Sequence, residues 1–430
     1  MKNRNLVLSI LVACLLVLGT TPASGREFDQ TDVDGGAVIN GLSLVGQVDT
    51  NYNATEVAVS GDFAYLCGGG ALEIIDISDP STPVLVGTYT APDWTQGPCM
   101  SMSVAGNYVI TAGYAMLNII DVSNPATPTR VGQYGYGAPL PHGIDVAGNY
   151  AYVVETQDTS PYYWYMRVFD ISNVTNPILI KTVSMSYVPN DIEVIGGYAY
   201  VSNFELGLRV FDVSNPYSPV EVGFYDTPHS SSQVTLSGSY AWLSEGGWGL
   251  EIVNVSNPTV PTLVKEFDPS SGYVENIADA WGYAYLAYGE GGVLMLDIAN
   301  LTEPSLVGQY DTAGSARDVV AANGLIYIAD YDKGLVILES TFMISGSATI
   351  PDNIPISGAT VTATGGYTTT TNSSGTYSFS NLQPGDYTVA ISKPGLTFTP
   401  GSFEVTLPPN AQVDFVSDGM YQNYIPMILK

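Results

Sequence analysis

Residues Leu72–Tyr89 read LEIIDISDPSTPVLVGTY. An apolar run ends in an acid, a Ser-Asp-Pro turn follows, and a second apolar run begins after a second proline. Variants of this stretch recur at intervals of 42 to 49 residues. The residue at the position of this acid marks each copy, and in the fifth copy it is an amide: Asp76, Asp121, Asp170, Asp212, Asn254, Asp297 and Glu339. A repeat of this length holds four short strands with their turns, which is the size of one β-propeller blade.

Each copy predicts four strands. In the first copy they are the alternating run Glu56–Val59, the aromatic run FAYLC from Phe63, the run that ends at the marker, and PVLVGTY from Pro83. Gly and Asn between the first two runs tolerate the positive φ of hairpin turns. Continuous apolar runs are typical of strands that neighbouring sheets bury on both faces. The marker acids are interpreted as turn residues, because Asp side chains accept hydrogen bonds from nearby backbone N–H groups.

The ends of the array predict how the ring closes. Strands one to three occur seven times, whereas the fourth strand follows a third strand only six times. An unattached copy of the fourth strand, Leu42–Val48, stands at the start. We expect it to pair with Leu335–Leu338, which removes the exposed edges of the ring. The fold class is therefore all-β, with a seven-bladed β-propeller over residues 41–340 that is closed by an N-terminal strand.

The repeated phrase GxYAYV…GLxIxDVSNPxxPxxVG resembles the LVIVD repeat, a bacterial and archaeal β-propeller repeat. The likeness extends over about residues 41–340. It departs at Asn254, Ala299 and Val174, which are all turn positions. The resemblance implies a propeller on the cell surface or secreted from the cell. It implies no catalytic residues.

A second domain follows the array. After Phe342 the composition shifts to Thr, Ser and Gly, and alternating strands with Gly/Pro turns predict a small β-sandwich over residues 343–417. The segments ISGATV from Ile356, GTYSF from Gly375 and LQPGDY from Leu382 resemble the carboxypeptidase regulatory-like domain, which is prealbumin-like. That resemblance implies an accessory stalk or binding module without an active site of its own.

The two ends of the chain read as targeting or connecting segments. Residues 1–25 combine a basic tip, a short apolar run and small residues, which predicts a secretory signal peptide. Cys14 lies in a lipoprotein-like box, so lipidation stays an alternative. Residues 26–40 form a polar linker. The tail 418–430 contains YQNYIPMILK, which reads either as a sorting signal or as a strand on the sandwich.

Charge and cysteine usage limit the partners. A formal net charge of −29 makes nucleic acid and anionic lipid poor partners. No stretch after residue 25 is long and apolar enough to predict a transmembrane segment.

Cys67 and Cys99 are the cysteines that follow the signal peptide, and an oxidising compartment permits a disulfide between them. Whether they pair is left open by the sequence, as is the oligomeric state.

The variable loops share one face of the predicted propeller. They lead into each first strand or join strands two and three, and variable loops on a fixed scaffold are where binding sites are usually built. Aromatic residues in them are candidate ligand contacts, because rings bind sugar faces or peptide side chains at low entropic cost. These candidates are Trp94, Tyr134, Tyr136, Tyr162, Tyr163, Trp164, Tyr165, Phe204, Trp248 and Tyr331. The alternative is that the rings pack over the channel mouth or between blades.

Polar residues begin the first strands and are expected to line the channel. By alignment they are Glu56, Ser101, Asp191, Gln233, Asn276 and Asp318, with Gly143 as the exception. Their oxygens could bind Ca²⁺, but calcium-loop spacing is absent and a water-filled polar channel is preferred. His142 and His229 lie in loops without a zinc-ligand pattern or a nucleophile elbow. The sequence therefore predicts neither a metal site nor a cofactor.

The leading functional hypothesis is a secreted or surface-attached, non-enzymatic binding or adhesion protein whose aromatic propeller face meets a protein or a glycan. One alternative is a hydrolase or lyase of extracellular polysaccharide that uses the channel acids with His142. The scarcity of His, Lys and Arg disfavours it, because proton transfer commonly uses such groups. Another alternative is a structural component of a surface layer.

Overall fold

The structure is a computed structural model, and it describes residues 41–90, 99–113, 116–135, 139–157, 162–269, 272–383, 385–407 and 410–420. The predicted signal peptide and linker (residues 1–40) and most of the predicted tail (residues 421–430) lie outside these ranges. Twenty-eight strands build the propeller. They are β1 Leu42–Val48, β2 Glu56–Ser60, β3 Phe63–Gly68, β4 Ala71–Asp76, β5 Val84–Tyr89, β6 Cys99–Ala105, β7 Tyr108–Gly113, β8 Met116–Asp121, β9 Thr129–Gly135, β10 Pro139–Ala147, β11 Tyr150–Gln157, β12 Tyr163–Asp170, β13 Ile178–Met185, β14 Asp191–Ile195, β15 Tyr198–Asn203, β16 Gly207–Asp212, β17 Val220–Tyr225, β18 Gln233–Ser237, β19 Tyr240–Ser244, β20 Leu250–Asn254, β21 Thr262–Phe267, β22 Asn276–Ala280, β23 Tyr283–Ala287, β24 Val293–Asp297, β25 Ser305–Tyr310, β26 Ala316–Ala322, β27 Leu325–Asp330 and β28 Gly334–Ser340.

The seven-bladed architecture is confirmed. Six blades consist of four consecutive antiparallel strands, and the seventh has the order β1-β28-β27-β26. In the seventh blade Leu42 lies opposite Ser340 and Val48 lies opposite Leu335, with one irregularity between Leu44 and Gly46. The predicted closure by the N-terminal strand is therefore confirmed. It follows from hydrophobic pattern, because Leu42–Val48 repeats the outer strand of every other blade.

The marker residues act as turn residues. In the first copy the Asp76 carboxylate accepts the backbone N–H of Ser78 at 2.9 Å. The same bond forms at 2.9 Å from Ser123, Ser172, Ser214, Ser256 and Ala299 to the markers two residues before them. Hydrogen bonds from Ser78 hold the pKa of Asp76 below its usual value. These acids stabilise the turn from the third to the fourth strand.

Outer-strand glycines let adjacent blades approach closely. A Cβ at Gly87 would lie 1.9 Å from the carbonyl oxygen of Pro125, in the turn of the next blade. A Cβ at Gly46 of β1 would lie 2.2 Å from the carbonyl oxygen of Pro80, so β1 meets blade 1 in the same way. Only glycine leaves room for this backbone contact. Where the outer strand carries the VG dipeptide, its glycine thus permits the close approach of the next blade, including at the blade that closes the ring. Blades 3 and 5 have Lys181 and Lys265 at this position.

The sandwich begins directly after the last blade. Its strands are β29 Phe342–Ile350, β30 Ile354–Pro355, β31 Thr360–Ala363, β32 Tyr367–Thr370, β33 Thr376–Leu382, β34 Gly385–Ser392, β35 Leu396–Phe398, β36 Ser402–Leu407, β37 Ala411–Gln412 and β38 Phe415–Met420. One sheet has the order β32-β31-β34-β36, and the other is built around β29. Most pairs are antiparallel, but β37 and β38 run parallel to β29. The described residues contain one 3-10 helix, Pro351–Asn353, and no helix long and apolar enough to cross a membrane.

A backbone hydrogen bond and a ring contact fix the start of the sandwich against the propeller. Thr341 donates its N–H to the carbonyl oxygen of Gly41 at 2.9 Å. The ring of Phe342 packs against that of Tyr283, with centroids 5.4 Å apart. Both rings are buried and belong to an apolar cluster that runs from blades 6 and 7 into the sandwich. The second domain therefore rests on the propeller through packed side chains.

A disulfide joins the first two blades. Cys67 in β3 and Cys99 in β6 are bonded, with Cα atoms 5.5 Å apart. Both side chains are buried, at 0% and 2% exposure. The bond closes a loop across 32 residues of sequence. It covalently links two adjacent blades.

Candidate functional site

The strand directions assign the connections to two faces. The loops that lead into each first strand and those that join strands two and three lie together on what we call the loop face. The tight turns between strands one and two, and those between strands three and four, lie on the opposite turn face. The sequence places the candidate aromatic residues on the loop face. Those that the structure describes lie in loops of this face or near the strand ends that border it.

Blade 3 rises above the other blades at the loop face. Its strands β10 to β13 contain eight or nine residues, whereas β19 and β20 of blade 5 contain five each. Pairing continues to Thr156 opposite Trp164 and Gln157 opposite Tyr163. Tyr163, Trp164 and Tyr165, which we expected in a loop, therefore lie in β12. Aromatic and β-branched residues favour strands, which explains why the insertion extends the hairpin.

One aromatic stack bridges blades 3 and 4. The ring of Trp164 stacks on that of Tyr187, with centroids 5.5 Å apart and planes at 28°. Tyr187 stacks in turn on Phe204, at 6.2 Å and 10°. All three rings are half-buried. The structure thus brings two predicted residues together through Tyr187, which sequence reasoning missed.

A second stack lies on blade 5. The rings of His229 and Trp248 are parallel within 2°, with centroids 4.2 Å apart. Trp248 nevertheless remains 62% exposed, so the indole is held in one orientation while most of its surface faces solvent. Next to it, the ring of Tyr273 covers the Gly246–Gly247 backbone and is 64% exposed. Sequence analysis had not named Tyr273 or the stacking role of His229.

These rings form a series around the loop face from blade 3 to blade 6. We call Trp164, Tyr187, Phe204, His229, Trp248 and Tyr273 the aromatic arc. Beyond it, in blade 7, the Arg317 guanidinium lies 5.4 Å from the ring centroid of Tyr331, which is 39% exposed. Arg317 also bonds Glu275 at 2.6 Å. A cation over a ring favours one orientation of Tyr331.

The other aromatic candidates divide into three groups. Tyr134 was expected in a loop, but β9 extends to Gly135 and the ring packs edge-on against Phe169 at 5.3 Å. The expectation of a loop position was wrong, because Tyr134 lies in the fourth strand of blade 2, as the aligned Tyr89 does in blade 1. Tyr162 and Tyr163 are exposed at 36% and 48%, and Tyr163 stacks on Tyr165 at 6.2 Å. Trp94 and Tyr136 lie outside the described residues.

The polar residues that begin the first strands join neighbouring blades to one another. Asp318 accepts the backbone N–H of Val57 in the next blade at 2.7 Å. The Ser101 hydroxyl accepts the N–H of Ile144 at 3.2 Å. Asp191 does the same for the N–H of Val234, at 3.1 Å. A polar side chain at this position therefore satisfies a backbone donor of the next inner strand.

A second layer repeats this pattern two residues deeper. Asp145 accepts the N–H of Val194 at 2.8 Å, and Glu193 accepts that of Leu236 at 2.6 Å. Gly143 lacks a side chain because Asp191 occupies the space, and a Cβ there would lie 2.8 Å from its Oδ1. These contacts give the channel carboxylates a structural role. The remaining predicted members, Gln233 and Asn276, lie in the same layer as Asp191, and Asn276 bonds Asp318.

Burial raises the pKa of the channel acids. The pKa of Asp318 rises to about 7. The pKa of Glu56 rises well above its ordinary value through burial and through the charges of Asp318 and Asp191. Across the described ranges from 41 to 420, no three His, Cys, Asp or Glu side chains are placed to hold a metal ion. Ca²⁺ binding, the less favoured interpretation of these residues, gains no support from this arrangement.

Blade 5 contains a pair of buried acids at the ends of the loop that carries Trp248. Glu245 directly follows β19 and Glu251 lies in β20, with exposures of 4% and 0%. In blade 3 the same two positions hold Glu155 and Arg167, which form an ion pair at 2.5 Å. Blade 5 thus replaces the base of that pair with a second acid. We call Glu245 and Glu251 the acid pair.

Both carboxyls of the acid pair favour the protonated form. Burial, with the charges of Glu245 and Glu266, raises the pKa of Glu251 to about 8. Burial raises the pKa of Glu245 to about 7. Within the described part of the chain, Glu251 Oε2 and Glu245 Oε1 make no hydrogen bond. The Tyr225 hydroxyl donates to Glu251 Oε1 at 3.5 Å.

The acid pair is connected to the aromatic arc through the turn 245–249. Trp248 donates its N–H to the carbonyl oxygen of Glu245 at 3.1 Å. The Thr227 hydroxyl donates to the carbonyl oxygen of His229 at 2.5 Å and also contacts the Glu245 carboxyl. The positions of both stacked rings therefore depend on the segment that holds Glu245. The alignment of blades 3 and 5 was the sequence signal that could have found this pair.

His142 is a poor match for the acid-base role considered for it. Its Nε2 lies 2.9 Å from the Thr156 hydroxyl. Burial lowers the pKa of His142 to about 4, so the ring is neutral at pH 7. The channel acids, in turn, are hydrogen-bonded to backbone N–H groups of neighbouring blades. His142 and the channel acids therefore make contacts that hold the fold together.

Comparison with family models identifies the repeat. The LVIVD repeat matches residues 53–91, 96–135, 142–184, 189–227, 229–269, 271–312 and 313–339, which together make up more than half of the chain. The carboxypeptidase regulatory-like domain matches residues 343–417. Both resemblances inferred from the sequence are confirmed. The seventh repeat match ends at 339 without a fourth strand, which β1 supplies.

Solved structures support the fold alone. The WD40 repeats of RRP9 match with a TM-score of 0.57 and 8% identity, covering 71% of this chain and 99% of that chain. The computationally designed Ika8 protein matches with a TM-score of 0.51 and 10% identity, covering 68% of this chain and 99% of that one. A comparison with curated proteins found no match. Repeat propellers joined to a regulatory-like domain are typical of extracellular or cell-surface proteins.

Proposed function

Because the chain belongs to the LVIVD-repeat family and carries a carboxypeptidase regulatory-like domain, we propose that it is a non-enzymatic binding protein, secreted or attached to the bacterial cell surface. The aromatic arc on the loop face binds an extracellular glycan, and the sandwich serves as a stalk. The observation that carries this proposal is the exposed Trp248 ring, held parallel to His229 and next to the exposed ring of Tyr273.

Exposed rings of fixed orientation suit sugar binding. An indole that loses little conformational freedom on binding offers a flat apolar surface at low entropic cost. The His229 ring fixes Trp248, and the Gly246–Gly247 turn lies under Tyr273. An isolated exposed ring would need no explanation, whereas a row of supported rings on one face indicates an interaction surface.

The charge of the chain narrows the glycan class. With a net charge of −29, the protein repels polyanions. A neutral polysaccharide meets no such repulsion. The proposal is therefore specific to neutral glycans, and the buried or hydrogen-bonded state of the channel acids supports binding without turnover.

Co-sedimentation tests the proposal. The chain from residue 26 to 430 is incubated with insoluble cellulose, chitin and β-1,3-glucan, and the bound fraction is measured. We expect one of them to bind, with Trp248→Ala weakening binding about tenfold, the loss typical of one well-placed ring. Tyr217→Ala is the matched control, because Tyr217 is 55% exposed but lies on the turn face.

Two results would contradict the proposal. One is the absence of binding to every polysaccharide by the unmodified chain. The other is equal binding by the unmodified chain and Trp248→Ala. A product released from the polysaccharide during incubation would instead favour the hydrolase or lyase alternative.

A further inference from the structure

The turn face carries a groove between blades 5 and 6 that the loop-face proposal does not use. Its volume is about 390 Å³. The residues that line it include Trp281, Trp242, Asp279, Tyr240 and Ser237, and Ile298 and Leu301 add apolar surface. Because the blades are copies of one repeat, the other blades show which residue usually occupies each of these positions.

Trp281 departs from the repeat in a strained position. In five other blades the hairpin turn has glycine here, at φ between +55° and +60°, and blade 7 has Asn323 at +53°. Trp281 holds φ +55° and is 45% exposed. A bulky side chain in this region of φ is an outlier, and such outliers concentrate at functional sites.

Two further departures converge on the same groove. Trp242 replaces the tyrosine that five other blades place at the third residue of the second strand. Asp279 replaces the Val, Leu or Ala found at the equivalent position of the other six blades. The Ser237 hydroxyl bonds the Asp279 carboxyl, and burial raises the pKa of Asp279. Three unrelated substitutions at one groove are hard to attribute to packing alone.

The polar groups of the groove indicate the ligand class. Trp242 is 1% exposed, and its Nε1 donates no hydrogen bond to any residue that the structure describes. A buried indole N–H normally has an acceptor. Asp279 offers acceptors, and Trp281 offers an apolar ring. A sugar ring can stack on the exposed Trp281 indole while one of its hydroxyls donates to the Asp279 carboxylate.

We propose that this groove binds one sugar unit of a neutral saccharide, with Trp281 as the stacking platform and Asp279 as the hydrogen-bond acceptor. This site is separate from the aromatic arc, because it lies on the opposite face and shares no residue with it. A saccharide that spans the protein could occupy both, but neither proposal depends on the other.

Saturation-transfer NMR and calorimetric titration test the groove, using the chain from 26 to 430 with glucose, galactose, mannose, N-acetylglucosamine, cellobiose and chitobiose. We expect at least one to bind at millimolar concentration. Trp281→Gly restores the residue of the other blades. It should raise Kd about tenfold while raising the melting temperature, because glycine tolerates this φ.

Matched variants keep the interpretation specific. Asp279→Val restores the repeat and should also weaken binding, whereas Asn323→Gly, at the equivalent turn of blade 7, should leave Kd unchanged. Binding of no sugar in the panel, or unchanged Kd in Trp281→Gly, would overturn the proposal. A lower melting temperature in Trp281→Gly would refute the strain that motivates it.

Discussion

The rings of His229 and Trp248 lie parallel, 4.2 Å apart, although they come from different loops separated by two strands. Their contact converts a mobile surface indole into a fixed one. We predict that His229→Ala weakens polysaccharide binding about three- to fivefold, less than Trp248→Ala, because the indole remains but loses its support. Affinity electrophoresis in polysaccharide gels measures both. Equal losses for both variants would indicate that His229 contacts the glycan directly.

Closure of the ring depends on the backbone contact at Gly46. A Cβ there would meet the Pro80 carbonyl oxygen at 2.2 Å, and backbone cannot move aside cheaply. We predict that Gly46→Ala lowers the free energy of unfolding by about 2 kcal/mol. Thermal denaturation measures the change. Gly135→Ala is the control, because a Cβ there has no neighbour within 4 Å. Equal stability of the two variants would argue against close packing of β1 on blade 1.

The disulfide should stabilise the junction of blades 1 and 2. Replacing Cys67 and Cys99 with Ala removes a cross-link over 32 residues. The chain-entropy relation gives a loss of about 3 to 4 kcal/mol. Chemical denaturation of the oxidised chain and of the double variant measures it. A difference near zero would show that the unfolded chain gains little freedom when the link is removed.

The acid pair makes stability depend on pH in a defined direction. Unfolded Glu has a pKa of about 4.3, whereas Glu245 and Glu251 have pKa values of about 7 and 8 in the folded chain. The folded chain therefore binds more protons between these values, and its stability falls as pH rises from about 4.5 to about 8. We predict that Glu251→Gln is the more stable chain at pH 8, by about 1 to 3 kcal/mol, and loses that advantage at pH 5.

Melting temperatures measured from pH 5 to pH 8.5 check this prediction. Glu73→Gln is the matched control, because Glu73 occupies the same position in blade 1 but accepts hydrogen bonds from Asn51 at 3.1 Å. A pH-independent offset for Glu251→Gln would contradict the raised pKa values of the acid pair.

The repeat explains why the fold was predictable. Seven aligned copies gave an internal comparison, so the fourth-strand pattern in Leu42–Val48 was identifiable without its blade. The same alignment contained signals that were not used. Glu251 stands where blades 3 and 4 have arginine, and Trp281 stands where other blades have glycine. Both residues differ from those that other copies have at the aligned position. Such differences between copies indicate function better than residue type does.

Other features could not be derived from sequence. Tyr187 and Tyr273 are single aromatic residues in irregular loops, and no periodic pattern predicts which ring meets which. Tyr134 was assigned to a loop because strand ends vary by a few residues, yet β9 continues past it. The channel acids were interpreted as possible ligands. The hydrogen bonds that occupy their carboxylates join separate blades, so the sequence does not reveal them. Such contacts depend on tertiary structure alone.

Hydrogen exchange on the chain from 26 to 430, with and without purified cell-wall polysaccharide, tests whether the aromatic arc binds glycan. We predict slower exchange of backbone amides at 228–232 and 245–249, the segments that carry His229 and Trp248, when the polysaccharide is present. The sandwich amides should exchange at unchanged rates. Unchanged exchange in both loop segments would contradict the claim that the aromatic arc is the binding surface.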